Sequence, residues 1–103
     1  MKSVEFAPAA QTELGEAATR YEDEHAGRGY RFYTAVERTV EMLATFPNAG
    51  APYLVVRPEL GLRRCIVRGF PFVVIYVVRD DALRIVAVAH MHRRANYWRR
   101  RIK

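Results

Sequence analysis

Between Leu62 and Trp98 the sequence reads LRRCIVRGFPFVVIYVVRDDALRIVAVAHMHRRANYW, three strand-like runs separated only by turns. No other stretch restricts the fold as much. FVVIYVV (Phe72 to Val78) is continuously apolar, the pattern of a strand covered on both faces. In LRIVAVAH, strict alternation places Leu83, Ile85, Ala87 and Ala89 on one side and Arg84, Val86, Val88 and His90 on the other. Gly69-Phe70-Pro71 and Arg79-Asp80-Asp81 are too short for crossover helices, so the runs form an antiparallel meander. The last run empties into a cluster of histidines, arginines and aromatics.

The segment upstream supplies packing for this sheet. Ser3-Val4-Glu5-Phe6 has the length of a short first strand, and Pro8 suits the first turn of a helix, where a missing N–H costs nothing. Ala10, Leu14, Ala17, Ala18 and Tyr21 form an amphipathic stripe, with Glu13, Glu16, Glu22 and Glu24 assigned to the solvated side. Gly27 and Gly29 permit a turn into a second helix whose inner face is Phe32, Val36, Val40 and Leu43. That helix ends before Pro47, which disfavours helical geometry at Phe46. Tyr21, Tyr30, Phe32 and Tyr33 read as core more readily than as a base-stacking platform, and His25 as a residue of the helix end. Pro47 to Leu60 (PNAGAPYLVVRPEL) reads as a long crossing loop whose chemical members are Tyr53, Arg57 and Glu59. The expected class is therefore α+β: an antiparallel sheet of about four strands, a helix hairpin on one face and a short C-terminal helix. With 103 residues, the chain makes one domain with a single core.

Charge narrows the function. Residues 1–78 carry nine Lys/Arg and nine Asp/Glu, whereas residues 79–103 carry eight Lys/Arg against Asp80 and Asp81. The formal charge of +6 thus sits in the last quarter of the chain. A basic end of this kind fits a polyanionic partner, or it is a solvated tail. No apolar run is long enough to span a bilayer, and the N-terminus has no signal-peptide h-region. Cys65 is the single cysteine, which precludes an internal disulfide and reads as a structural thiol. These features place the chain in the cytoplasm, away from membranes.

The rim consists of His90, Met91, His92, Arg93, Arg94, Tyr97 and Trp98, continuing into Arg99, Arg100 and Arg101, with Asn96 as a candidate N-cap for the last helix. Two neutral histidines without Cys or acidic partners make a poor metal site, so no metal or other cofactor is expected. Two chemistries remain open. In one, arginines hold a phosphate while a His or Tyr moves the proton of a 2′-hydroxyl, which cleaves RNA without a metal. In the other, His90, His92, Arg93, Arg94, Tyr97, Trp98, Arg99, Arg100 and Arg101 form a cationic and aromatic docking patch. A purely structural use is also open, in which Tyr97 and Trp98 pin the last helix to the sheet.

The order of elements, FPFVVIY followed by an isoleucine-valine strand, and the ending His-x-His-Arg-Arg-x-x-Tyr-Trp resemble the RelE/ParE toxin superfamily over nearly the full length. The resemblance implies a toxin held inactive by a cognate antitoxin in a hetero-oligomer. If RelE-like, it implies a ribosome-dependent mRNA endoribonuclease with Arg64 or Arg68, Arg93 or Arg94, and Tyr97 in the catalytic roles. If ParE-like, it implies a non-enzymatic inhibitor of DNA gyrase. The chain has no lysine between Lys2 and Lys103, unlike RelE proper, and its His-Arg-Arg…Tyr-Trp ending is nearer the ParE branch. Asn96 stands where many ParE-like chains carry proline. Outside the toxin classes, the alternative is a non-toxic nucleic-acid or partner-binding domain.

Overall fold

The computed structural model describes residues 1–53, 58–94 and 97–102. Strand β1 (Ser3–Phe6) leads into α1 (Pro8–Glu24) and α2 (Arg28–Thr45), followed by β2 (Ala51–Pro52), β3 (Arg63–Ile66), β4 (Phe72–Arg79) and β5 (Ala82–His90). The sheet has five strands in the order β1-β5-β4-β3-β2. The α+β class and the helix hairpin follow the sequence expectation; the count of about four strands and the all-antiparallel pattern do not. The meander pairs antiparallel, but β1 runs parallel to β5, with Ser3 opposite Ala82 and Phe6 opposite Ile85. β1 fills the edge left free by the last strand of the meander. The fifth strand is β2, a two-residue pair against Arg63 and Arg64 that lies within the expected loop. Arg57, one of the chemical candidates of that loop, lies outside the described residues.

The helices form where the stripes predict. Pro8 occupies the first turn of α1, and Ala10, Leu14 and Ala17 are buried. In α2 the buried face includes Phe32, Val36, Val40 and Leu43. These side chains meet Val67, Phe72, Val74, Tyr76, Leu83, Ile85 and Val88 from the sheet. Each buried aliphatic or aromatic group there contributes on the order of 1.5–3 kcal/mol. Tyr21, Phe32, Phe70 and Phe72 interlock with ring centroids 4.8–6.1 Å apart, so Tyr21 and Phe32 are core, whereas Tyr30 and Tyr33 are exposed.

Alternation along β5 breaks at one point. Ile75 pairs with Ala87 but Tyr76 pairs with Ile85, which leaves Val86 as an extra residue. Leu83, Ile85 and Val88 therefore face the helices, while Val86, Ala87 and Ala89 face the other way. The expected grouping of Val86 with Val88 is corrected by this β-bulge, which shifts every residue beyond it by one.

Glu22 is exposed, as its spacing predicts, and it also joins the two helices. Gly27 takes a left-handed conformation (φ 87°) at the turn, and its N–H donates to the Glu22 carboxylate at 2.9 Å while that of Gly29 donates at 3.0 Å. These donors belong to the otherwise unsatisfied first turn of α2. Both hydrogen bonds, Gly27's first, hold the Glu22 pKa below the usual carboxylate range. A carboxylate with a lowered folded pKa adds stability above its unfolded value of about 4.3. That stability is lost as pH falls through the folded value. Glu22→Gln should therefore melt below wild type at neutral pH, and the gap should close on acidification towards pH 3. A gap independent of pH would remove the charge from this account.

The C-terminal helix expected after β5 is reduced to a 3-10 turn over Arg99–Arg101. An isolated helix of so few residues is marginal. Asn96, its expected N-cap, lies outside the described residues. Cys65 is half-buried on β3, and burial pushes its thiol pKa up, consistent with a structural role. Among the described residues, no helix is long and apolar enough to cross a membrane.

Candidate functional site

The C-terminal segment lies across the sheet face opposite the helices. Trp98 is 1% exposed there, clustered with Leu62, Val73, Ile75, Val77, Val86, Ala87 and Ala89. Tyr53 packs against its ring at 5.6 Å. Trp98 is thus core, which bears out the reading in which it pins the C-terminal segment to the sheet rather than its place in the docking patch. An indole in that position removes more apolar surface from water than any other side chain of the segment could.

Seated this way, the segment separates two hollows. The first, of about 160 Å³, is lined by Tyr53, Arg64, His90, Met91, Arg93, Arg94 and Tyr97 over a floor of Val73, Ile75, Ala89 and Trp98. It unites Arg64 from β3 with the rim residues that follow β5. The Arg64 guanidinium lies 5.5 Å from the Tyr53 ring and that of Arg93 lies 4.0 Å from the Tyr97 ring, both cation–π distances. The second hollow, of about 570 Å³, holds Arg79, Arg84, Arg100 and Arg101 above Val77, Val86 and Ile102, with Glu5 3.7 Å from Arg84.

The remaining candidates are more dispersed. Arg68 is exposed in the turn beyond β3 and does not line the first hollow with Arg64. His92 is exposed, its N–H donating to His90 Nδ1 at 3.1 Å, and the two rings stand 5.3 Å apart. Arg99 and Arg100 are exposed on the 3-10 turn. Among the described residues, no three His, Cys, Asp or Glu side chains gather as a metal-binding group.

Glu13 is the group the sequence reading missed. Its side chain is 15% exposed, and it pairs with Arg101 at 2.8 Å. Arg101 grips both carboxylate oxygens, Tyr97 donates its hydroxyl to Oε2 at 2.5 Å, and the Val88 N–H donates to Oε1 at 3.1 Å. Arg101 also donates to the Val86 carbonyl at 3.1 Å. β1 ends at Phe6 opposite Ile85, so Glu13 and Arg101 satisfy backbone groups of β5 just past the reach of its neighbour strand. The signal was spacing: Glu13 stands three residues after buried Ala10 and four before buried Ala17, at the margin of the stripe.

Burial first, and then the bond to Glu13, push the Tyr97 phenol pKa far above its ordinary value. Its proton is already committed to a carboxylate. A phenol held like this is a poor general base, and a weaker acid than free tyrosine. Arg93 and Arg94, in contrast, are exposed at the mouth of the first hollow. The arrangement is built to present fixed positive charge and aromatic surface rather than to move a proton through Tyr97.

The family model for the ParE toxin of the type II toxin–antitoxin system parDE matches residues 4–95. No curated protein matches the sequence significantly. Among solved structures, one described as the chromosomal ParDE TA system from P. aeruginosa superposes with a TM-score of 0.74 at 19% identity, covering 87% of this chain and 96% of that one. At that identity the likeness is one of fold.

Proposed function

This chain belongs to the ParE toxin family of type II toxin–antitoxin systems, and from that membership we propose that it arrests growth by inhibiting DNA gyrase until a cognate antitoxin neutralises it. The proposed setting is the cytoplasm, and the proposed contact surface is the rim formed by Arg64, His90, Arg93, Arg94 and Tyr97. The observation that carries the choice against RNA cleavage is the Tyr97 hydroxyl, half-buried and bonded to Glu13. A nuclease using that phenol would need it free to exchange a proton near neutral pH. Fixed arginines stacked on aromatic rings suit a protein-docking surface instead. For the antitoxin, the excess positive charge favours an acidic segment lying over the rim.

Purified, antitoxin-free protein added to supercoiling reactions should cause loss of supercoiling or accumulation of cleaved DNA. The antitoxin should reverse the effect, less well as salt rises. Tyr97→Phe keeps the ring beneath Arg93 and loses one charge-assisted hydrogen bond of about 1.5 kcal/mol, so inhibition should weaken by roughly tenfold. The same substitution would cost a nuclease dependent on that phenol on the order of 10²-fold or more. Gyrase left untouched at a concentration that stops growth would redirect the assignment to the ribosome and mRNA. A chain that does not stop growth at all would be a passive binding domain.

A further inference from the structure

We propose that Glu13, a residue of the first helix, is the positioning residue of the target-binding rim, fixing the C-terminal segment so that Arg93 is held at the mouth of the first hollow. The inference rests on reading that rim as the toxic surface. Its basis is a connected set of contacts spanning the chain. Glu13 receives hydrogen bonds from Tyr97 and Arg101, 84 and 88 residues further on, and from the β5 backbone at Val88. Tyr97, held by its hydroxyl, presents its ring to the Arg93 guanidinium at 4.0 Å and to that of Arg101 at 5.0 Å. Glu13 itself does not line the first hollow, so it acts through Tyr97.

This device solves a problem specific to the segment. Its positive charges repel one another and its 3-10 turn is short, so local structure alone does not fix it. Trp98 supplies apolar adhesion, which is non-directional. A carboxylate gripped at both oxygens by an arginine supplies direction, because the fork fits the carboxylate in one plane. The bulge at Val86 serves the same end, since Val86 and Val88 are the backbone groups that Arg101 and Glu13 engage.

Trp98 is the sole tryptophan and adjoins Tyr97, so its fluorescence reports the seating of the segment independently of any target. In Glu13→Gln, the far-UV helix signal should be unchanged while Trp98 emission moves to the red and acrylamide quenching rises. Growth-arrest potency should fall by roughly tenfold, the weight of one charge-assisted hydrogen bond. Glu13→Asp, which keeps the carboxylate, should recover part of both. Arg93→Ala should cost less potency in Glu13→Gln than in wild type, because Arg93 is already displaced there. Should Glu13→Gln not fold, Arg101→Lys keeps the charge, loses the two-pronged grip and carries the same expectations.

Trp98 that stays shielded in these variants would overturn the proposal. So would freed Trp98 with full potency, or strict additivity with Arg93→Ala. A wild-type chain that arrests growth without touching gyrase would overturn the gyrase reading alone. The Glu13 series would then still be scored by growth arrest and fluorescence.

Discussion

Trp98→Ala should be among the most damaging single substitutions in the chain, with a loss of about 3–5 kcal/mol, the usual cost of removing a buried large aromatic. For a domain of about this size each kcal/mol lowers the melting temperature by about 4–8 °C. The expected result is therefore a chain partly or wholly unfolded at growth temperature. The reason is positional. Val73, Ile75, Val77, Val86, Ala87 and Ala89 form the sheet face away from the helices, and Trp98 is the largest fully buried side chain in the cluster over them. Alanine would leave Tyr53 without the ring it packs on and expose aliphatic surface beside it. Trp98→Phe, which keeps an aromatic plate, should lose markedly less. Thermal melts of the two variants beside wild type decide the matter; a loss under about 1 kcal/mol for Trp98→Ala would mean that the segment contributes little to the cluster on that face of the sheet.

Most of this architecture is legible in the sequence because it is written in local periodicity. Leu14 and Ala17, or Val36 and Val40, reveal their buried face through spacing alone, and the unbroken run from Phe72 to Val78 announces a strand with two covered faces. What is illegible depends on partners distant in sequence. The parallel pairing of β1 with β5 leaves no local mark, because a strand's direction relative to its neighbour does not alter which of its residues are apolar. The bulge at Val86 is hidden because Val86 and Ala87 are both apolar, so either register satisfies the pattern. Strand β2 is masked by Pro52, a residue acceptable only at an edge. The places of Trp98 and Glu13 likewise depend on partners distant in sequence. An aromatic beside arginines looks like a docking anchor but is buried by the sheet, and an acid on a helix looks solvated until an arginine 88 residues later arrives to meet it. The rim residues themselves were found because their charge is concentrated; that Arg64 joins them and Arg68 does not is a matter of where β3 ends.

Gly50→Ala should carry the second large penalty, and through backbone rather than chemistry. A β-carbon at this position would stand 2.5 Å from the Tyr76 hydroxyl oxygen, 2.8 Å from Tyr76 Cε1 and 2.9 Å from the Arg64 carbonyl oxygen. Tyr76 has no room to withdraw: it is 0% exposed, donates to the Pro47 carbonyl at 2.7 Å and accepts the Gly50 N–H at 3.0 Å. Overpacking of this kind costs about 1–3 kcal/mol, and losing a buried hydrogen bond about 1 kcal/mol more. Gly50 also accepts from Arg63 at 2.6 Å and precedes β2, whose partners are Arg63 and Arg64. A displaced Gly50 therefore moves Tyr53 and Arg64, two walls of the first hollow, and potency should fall with stability. Tyr76→Phe in the same chain removes only the nearest clash. Cε1 and the Arg64 carbonyl stay too close and both hydroxyl bonds are lost, so the double variant should be no more stable than Gly50→Ala alone. Full rescue by Tyr76→Phe in a melting experiment would show that the hydroxyl, rather than the strand backbone behind it, is what demands glycine at position 50.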